Sequence, residues 1–242
     1  MTPRLFAIAA AILLAIPPGD GFAAPYAPGW QVVLAGGDYA QPVFDNAVLA
    51  LRERLVGYGV PRGNIRRLSA QADPRDPSAE PATLDRLLTE IATLPARPGD
   101  RCLVFITSHG EHGAGVWLAH SEQVLRPAEL ARALAGGCAG VPTVVIVSAC
   151  YSGAFAAGPM LAPNRIILTA ARADRPSFGC AADRTYTVFD ECLLGALPGA
   201  PSWQGVFQGA NACVRQREHE MRALPSEPQA YFGLTVRNLP VR

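Results

Sequence analysis

The hydrophobic pattern of this chain consists of short apolar runs that alternate with stretches of helical periodicity. Two runs are almost uniformly apolar and lead to residues that carry chemistry. They are RCLVFIT at 101–107, which leads to His109, and TVVIVS at 143–148, which leads to Cys150. Runs of this kind are typical of strands buried on both faces of a sheet. We therefore predict two central strands, one that delivers a histidine and one that delivers a cysteine.

The rest of the pattern alternates between strands and helices. Further strands are predicted at 30–34, 64–68, 165–169 and 230–236, with a small hairpin at 116–119 and 123–125. Helices are predicted at 43–58, 81–94, 127–134, 187–197 and 202–222, and Pro81 is expected to be the first residue of the second helix. This alternation favours an α/β fold in which helices flank a mostly parallel sheet with right-handed crossovers.

The N-terminus has the pattern of a secretory signal peptide. Arg4 precedes an apolar segment over 5–16, and small residues up to Ala24 offer a cleavage site. The segment is shorter than the roughly 20 residues that span a bilayer. We predict a signal peptide over 1–23 and a single domain over 24–242, exported to the periplasm or secreted, without a membrane segment after cleavage. The alternative is an ordinary buried helix.

Composition narrows the class of protein. The chain has 242 residues, half of them apolar, which is enough for one well-buried α/β domain. Its net charge of +1 argues against nucleic acid or an anionic membrane as a partner. Every basic residue is arginine. The absence of lysine from the sequence excludes a P-loop lysine, a Schiff-base enzyme and a serine–lysine dyad.

Cysteine placement suggests two disulfides, which export would permit. No C-x-x-C pair is present among the six cysteines. Cys102 opens one central strand and Cys138 lies shortly before the other, so a bridge between them is plausible if the strands are neighbours. A Cys192–Cys213 bridge would join the two C-terminal helices. Both pairings are hypotheses.

His109 and Cys150 are the candidate reactive pair. The helix between the two central strands makes them a βαβ unit, and adjacent strands lie about 4.8 Å apart. His109 would protonate a leaving amine and favour the Cys150 thiolate. The backbone N–H groups of Gly110 and Cys150 would form an oxyanion hole. A helix that begins at Ser152-Gly153 would add its dipole.

Other readings of the same residues remain open. A cysteine at the end of a strand is often a small buried hydrophobe, and a single histidine is often a surface or core residue. His109 and His112, with Glu111 between them, are candidate metal ligands, but their expected loop position does not give helical spacing. We therefore predict neither a metal nor a cofactor.

The chain resembles the legumain family of cysteine peptidases, which have the caspase-like fold of clan CD. The resemblance rests on LVFITSHG at 103–110, VVIVSACYSG at 144–153 and RIILTAARADRPSFGC at 165–180. It implies a three-layer caspase-like fold and a peptide or protein substrate. It also implies that Cys150 attacks the carbonyl carbon while His109 protonates the leaving amine. The acyl-enzyme would then be hydrolysed or passed to an amine.

The chain departs from the legumain pattern around the histidine. Pro42 stands where the family has an asparagine that assists the catalytic histidine. Asp38, Asp45 and Asn46 lie nearby, and each is a candidate for that role. Phe44 stands where the family's pocket for asparagine has an arginine.

The predicted substrate-binding residues are Ser148, Ser177 and Asp190. Ser148 replaces a specificity glutamate of the family, whereas Ser177 and Asp190 resemble its pocket serine and aspartate. A loop hydrogen bond and a helix cap are the alternative roles for the latter two. We expect an exported cysteine endopeptidase; a non-catalytic binding or scaffold domain and a transpeptidase or ligase are the competing functions.

Overall fold

The computed structural model describes residues 29–71, 78–181 and 183–242, so the predicted signal peptide lies outside the described residues. These residues form a seven-stranded sheet, a three-stranded sheet and five α-helices. In chain order the strands are β1 (Trp30–Gly36), β2 (Ile65–Ser69), β3 (Glu80–Pro81), β4 (Arg101–Thr107), β5 (Gly110–Glu111), β6 (Gly115–Leu118), β7 (Gln123–Leu125), β8 (Thr143–Ser148), β9 (Arg165–Thr169) and β10 (Gln229–Phe232). The helices are α1 (Val43–Gly57), α2 (Leu84–Ala92), α3 (Pro127–Gly137), α4 (Val188–Ala196) and α5 (Trp203–Met221).

The large sheet has the strand order β10-β9-β8-β4-β1-β2-β3. All neighbouring strands run parallel except β10, which is antiparallel to β9. The small sheet, β5-β6-β7, contains the predicted hairpin and follows β4 directly. The predicted α/β architecture, a mostly parallel central sheet flanked by helices, is confirmed.

The central strands are apolar throughout because both faces of the sheet are covered. On β8, Val144 and Ile146 pack into a core with α1, α4 and α5. Val145 and Val147 point to the other face and pack with α2 and α3. Successive side chains of a strand alternate between faces, so a strand between two helical layers needs an apolar residue at every position.

Several element boundaries differ from the prediction, and backbone hydrogen bonds explain two of them. Pro81 does not begin a helix but lies in β3, because the N–H of Ala82 donates to Ser69 O (3.0 Å) and keeps the chain extended beside β2. Helix α2 begins at Leu84 instead, where the Thr83 side chain caps it. The last strand ends at Phe232 rather than residue 236, since Val236 N–H donates back to Gly233 O (3.1 Å) in a turn.

Both predicted disulfides are present. Cys102–Cys138 joins the start of β4 to the end of α3 with a Cα–Cα distance of 6.0 Å. Cys192–Cys213 joins α4 to α5 with a Cα–Cα distance of 5.6 Å. Within the described ranges, no helix combines the length and the hydrophobicity that crossing a bilayer requires.

Candidate active site

The candidate site lies at the carboxyl ends of β4 and β8. These neighbouring strands pair in register to their last residues, Thr107 opposite Ser148. His109 and Cys150 each follow two residues later, so both reach the same edge of the sheet. They line one small cleft, together with Phe44, Ser108, Ser148, Ser177, Phe178, Cys180 and Thr187. The structure therefore brings the predicted reactive pair together.

The chain turns sharply after Cys150. Tyr151 has a left-handed backbone (φ 59°), and its N–H donates to Arg175 O (2.8 Å). A 3₁₀-helix, Ser152–Ala156, follows. The helix predicted to begin at Ser152-Gly153 is thus one short 3₁₀ segment. Its dipole is smaller than that of an α-helix, because few peptide units align in it.

The Cys150 thiol is half-buried against the segment that carries Ser177. The Ser177 N–H donates to Cys150 Sγ at 3.3 Å, and the two side chains lie 3.7 Å apart from Oγ to Sγ. The thiol lies 3.5 Å from Ser177 O. Ser177, predicted to bind substrate, therefore contacts the candidate nucleophile directly.

The His109 ring packs against Phe44. Their ring centroids lie 5.1 Å apart in an edge-to-face arrangement. Phe44 is in the first turn of α1 and is 1% exposed. The apolar ring of Phe44 thus contacts His109, although the sequence predicted a polar residue from this part of the chain to assist the histidine.

The three candidate assistants of His109 have other partners. The Asp38 carboxylate accepts from Ala40 N–H (2.6 Å), and Asn46 donates to Thr185 O (3.1 Å). Asp45 forms a buried ion pair with Arg67. Across residues 29–71, 78–181 and 183–242, none of the three candidates hydrogen-bonds to His109. Positioning of the imidazole comes instead from Phe44 and from the backbone, where Trp117 N–H donates to His109 O (2.9 Å).

The predicted oxyanion hole consists of the backbone N–H groups of Gly110 and Cys150. Trp117 bonds to His109 O, so Gly110 and Val116 form a non-hydrogen-bonded pair of the small sheet, and the Gly110 N–H points away from β6. In the described part of the chain no group accepts a hydrogen bond from the Cys150 N–H. Gly110 also lies so close to Cys150 that an added Cβ would meet Cys150 O at 1.9 Å. The position therefore requires glycine.

Asp190 lies beneath the cleft rather than in it. It is fully buried in the first turn of α4, and Thr107 Oγ1 donates to its Oδ2 (2.7 Å). Burial raises the pKa of Asp190 to about 6, although hydrogen bonds from Ser148, Thr107 and Thr187 act in the opposite direction. Of the predicted substrate-binding residues, Ser148 and Ser177 line the cleft, whereas Asp190 supports its floor from behind.

The cleft also contains residues that the sequence alone did not single out. Phe178, Cys180 and Thr187 line it. Thr187 is the N-cap of α4, and Cys180 is a free thiol. The available signal for Cys180 was the cysteine count, because a free Cys150 leaves an odd number of cysteines for disulfides.

The metal alternative receives no support from the geometry. His112 lies in the turn after β5, where its ring contacts Tyr151 at 5.0 Å, while His109 contacts Phe44. Among the described residues, no three histidine, cysteine or acidic side chains converge to hold an ion.

Comparison with protein families gives a match to part of the chain. The model of the peptidase C13 family matches residues 85–197. This range extends from α2 to the end of α4 and contains His109, Cys150, Ser177 and Asp190. Among curated proteins, none matches the chain.

Proposed function

We propose that this chain, which belongs to the peptidase C13 family through residues 85–197 and is thus a cysteine peptidase, cleaves internal peptide bonds with Cys150 and His109. The observation that carries the proposal is the equal extension of β4 and β8. Because Thr107 and Ser148 are partners, His109 and Cys150 emerge from adjacent strands into one cleft.

In the proposed acylation step, the Cys150 thiol passes its proton to His109, and Sγ attacks the carbonyl carbon of the scissile bond. The carbonyl oxygen becomes an oxyanion that accepts hydrogen bonds from the N–H groups of Gly110 and Cys150. Collapse of this intermediate breaks the C–N bond, and His109 donates a proton to the departing amine. A thioester on Cys150 and a free amine result.

In the proposed deacylation step, His109 accepts a proton from a water molecule that attacks the thioester. Breakage of the C–S bond releases the carboxylic acid and regenerates the Cys150 thiol. An amine in place of water would give a new peptide bond, which is transpeptidation. Both outcomes need the same dyad, and neither needs a cofactor.

We further propose export as the setting of this activity. Support comes from the N-terminal signal pattern and from the two disulfides, Cys102–Cys138 and Cys192–Cys213. Disulfides persist in oxidising compartments such as the periplasm or the extracellular space. The substrates would then be extracytoplasmic peptides or proteins.

A second candidate function is a binding domain without turnover. The contact between Phe44 and His109 favours it, because a histidine without a polar assistant is a weaker acid–base catalyst. In this case peptides would occupy the cleft without acylating Cys150.

The deciding experiment compares wild type with Cys150→Ser. We expect cleavage of a positional-scanning peptide library by wild type and a loss of at least about 10³-fold in the variant, since serine lacks the reactivity of a thiolate. Cys180→Ser is the matched control for labelling, because it removes the other thiol of the cleft. A peptidyl electrophile should label this variant once, at Cys150. Turnover that survives in Cys150→Ser would refute the proposal, and peptide binding without labelling would favour the binding domain.

A further inference from the structure

Two free thiols share the candidate cleft. Four of the six cysteines are held in disulfides, and Cys150 and Cys180 remain as free cysteines. Both are half-buried, and both line the cleft with His109. The proposed mechanism uses Cys150 and leaves Cys180 without a role.

The segment that carries Cys180 contacts Cys150 through Ser177. Ser177 lies three residues before Cys180 and already contacts the Cys150 sulfur at 3.3 Å through its N–H. Burial raises the pKa of the Cys180 thiol, and the nearby Cys150 raises it further. The described residues between β9 and α4 form neither helix nor strand. A disulfide requires Cα atoms within about 7 Å of each other, and a chain outside helices and strands can meet that limit without loss of a regular element.

We propose that Cys180 is a resolving cysteine that captures oxidised Cys150 in a reversible Cys150–Cys180 disulfide. The oxidant is a peroxide. The Cys150 thiolate attacks the O–O bond, which gives a sulfenic acid on Cys150 and releases the reduced peroxide as an alcohol or water. The Cys180 sulfur then attacks the Cys150 sulfur, the S–O bond breaks, and water leaves with the Cys180 proton. Two thiols are oxidised to one disulfide, and one peroxide is reduced.

The disulfide would serve as a protected form of the site. A bridged Cys150 cannot attack a carbonyl, and it also cannot advance to the irreversible sulfinic and sulfonic acids. Thiol exchange with a reductant would restore both cysteines. The effect on cleavage rests on the proposed function, whereas formation of the bridge depends only on the two thiols.

The test treats purified protein with hydrogen peroxide and maps the cysteine-containing peptides without reduction. Wild type should lose two hydrogens and yield a linked peptide pair that contains Cys150 and Cys180. Cys180→Ser should accumulate added oxygen on Cys150 instead. Cys150→Ser should form neither product at position 150, and the Cys102–Cys138 and Cys192–Cys213 peptides should be unchanged in all three proteins.

Recovery of activity provides the second readout, with each protein normalised to its own untreated rate. After a small dithiol, wild type should regain most of its activity, and Cys180→Ser should regain less than about a tenth. Absence of the Cys150–Cys180 peptide pair from oxidised wild type would overturn the inference, as would equal recovery by Cys180→Ser. Peptide mapping needs no substrate, so a bridge that forms in a protein without peptidase activity would refute the proposed function alone.

Discussion

Two polar clusters lie at the carboxyl edge of the large sheet, and they differ in how fully their groups are paired. The first, here called the ion-pair cluster, consists of Asp45 from α1 with Arg67 and Ser69 from β2. All three are buried, Arg67 pairs with Asp45 Oδ2, and Ser69 Oγ donates to Asp45 Oδ1 (2.6 Å). The second is the pair His109 and Cys150, both half-buried in the cleft.

The comparison separates polar groups that hold the fold from those that remain available to a ligand. Burial of a charge is tolerated when a partner and hydrogen bonds satisfy it, and such a group has no capacity left for a substrate. In the cleft, the imidazole contacts an apolar ring, and the thiol has weak sulfur contacts to Ser177. We therefore expect mutations in the ion-pair cluster to reduce stability and mutations in the cleft to reduce activity.

His109→Gln should cause the largest effect on activity. Loss of the proton donor to the leaving amine should reduce kcat/KM by about 10² to 10⁴-fold, while the denaturation midpoint stays near that of wild type. The time profile of Cys150 alkylation by iodoacetamide should be slower than in wild type, because the variant lacks an imidazole that can accept the thiol proton. This alkylation profile distinguishes a chemical role from a purely structural one.

The control for this variant is His120→Gln. His120 is an exposed histidine beside Tyr39, with ring centroids 5.9 Å apart, and it lies outside the residues that line the cleft. Its alkylation profile should match wild type. A large loss of stability in His109→Gln would break the distinction between the two clusters.

Asp45→Asn should cause the largest effect on stability. It leaves the Arg67 charge buried beside a neutral amide, which should lower the free energy of unfolding by about 3 to 5 kcal/mol. Urea denaturation would measure this loss. Labelling of Cys150 per folded molecule should not change, because Asp45 is bonded to Arg67 and Ser69 rather than to His109.

Glu53→Gln is the matched control on the same helix. Glu53 pairs with Arg62 at 2.8 Å, but both side chains are more than half exposed, so solvent screens the pair. The expected change is below about 1 kcal/mol. Replacement of both Asp45 and Arg67 by apolar residues should recover part of the loss, and a double variant less stable than Asp45→Asn would contradict the ion-pair explanation.

Asp190→Asn should give a smaller effect that depends on pH. Burial raises the pKa of Asp190 to about 6, whereas an aspartate in an unfolded chain has a pKa of about 4. Wild type should therefore lose up to about 3 kcal/mol of stability as the pH rises from about 4 to 6. The variant does not titrate, so its stability relative to wild type should rise across that window.

The control is Asp85→Asn, since Asp85 is an exposed aspartate in the first turn of α2. This variant should keep the pH slope of wild type. Thermal unfolding between pH 4 and 8 would give the three curves, and parallel curves for wild type and Asp190→Asn would show that the carboxyl does not resist ionisation in the folded state.

Sequence patterns are sufficient to predict the features that depend on short segments of the chain, such as the two central strands. The apolar runs located β4 and β8, and their ends placed His109 and Cys150 at the same edge. Matched strand ends in a parallel sheet require no knowledge of side-chain detail. The two disulfides could also be predicted, because each joins a predicted element to another element or to its flank.

Other features depend on side chains that meet over long sequence distances. The pairing of Asp45 with Arg67 crosses two elements, and nothing in the local sequence distinguishes Asp45 from a surface residue that could assist His109. The start of α2 depended on a hydrogen bond from Ala82 to Ser69, which kept Pro81 extended. In both cases the outcome, the role of Asp45 and the first residue of α2, depended on a tertiary contact that the local sequence does not reveal.

The shortest strand of the large sheet, β3, limits self-association of the protein by strand pairing. β8 has a sequence that would form intermolecular strands readily if it were exposed. It is instead the third strand from one side, and the opposite edge is β3, with only Glu80 and Pro81. Proline offers no N–H to an incoming strand, and a charged neighbour opposes stacking of identical molecules. The β3 edge therefore opposes the addition of a strand from a second molecule to the sheet.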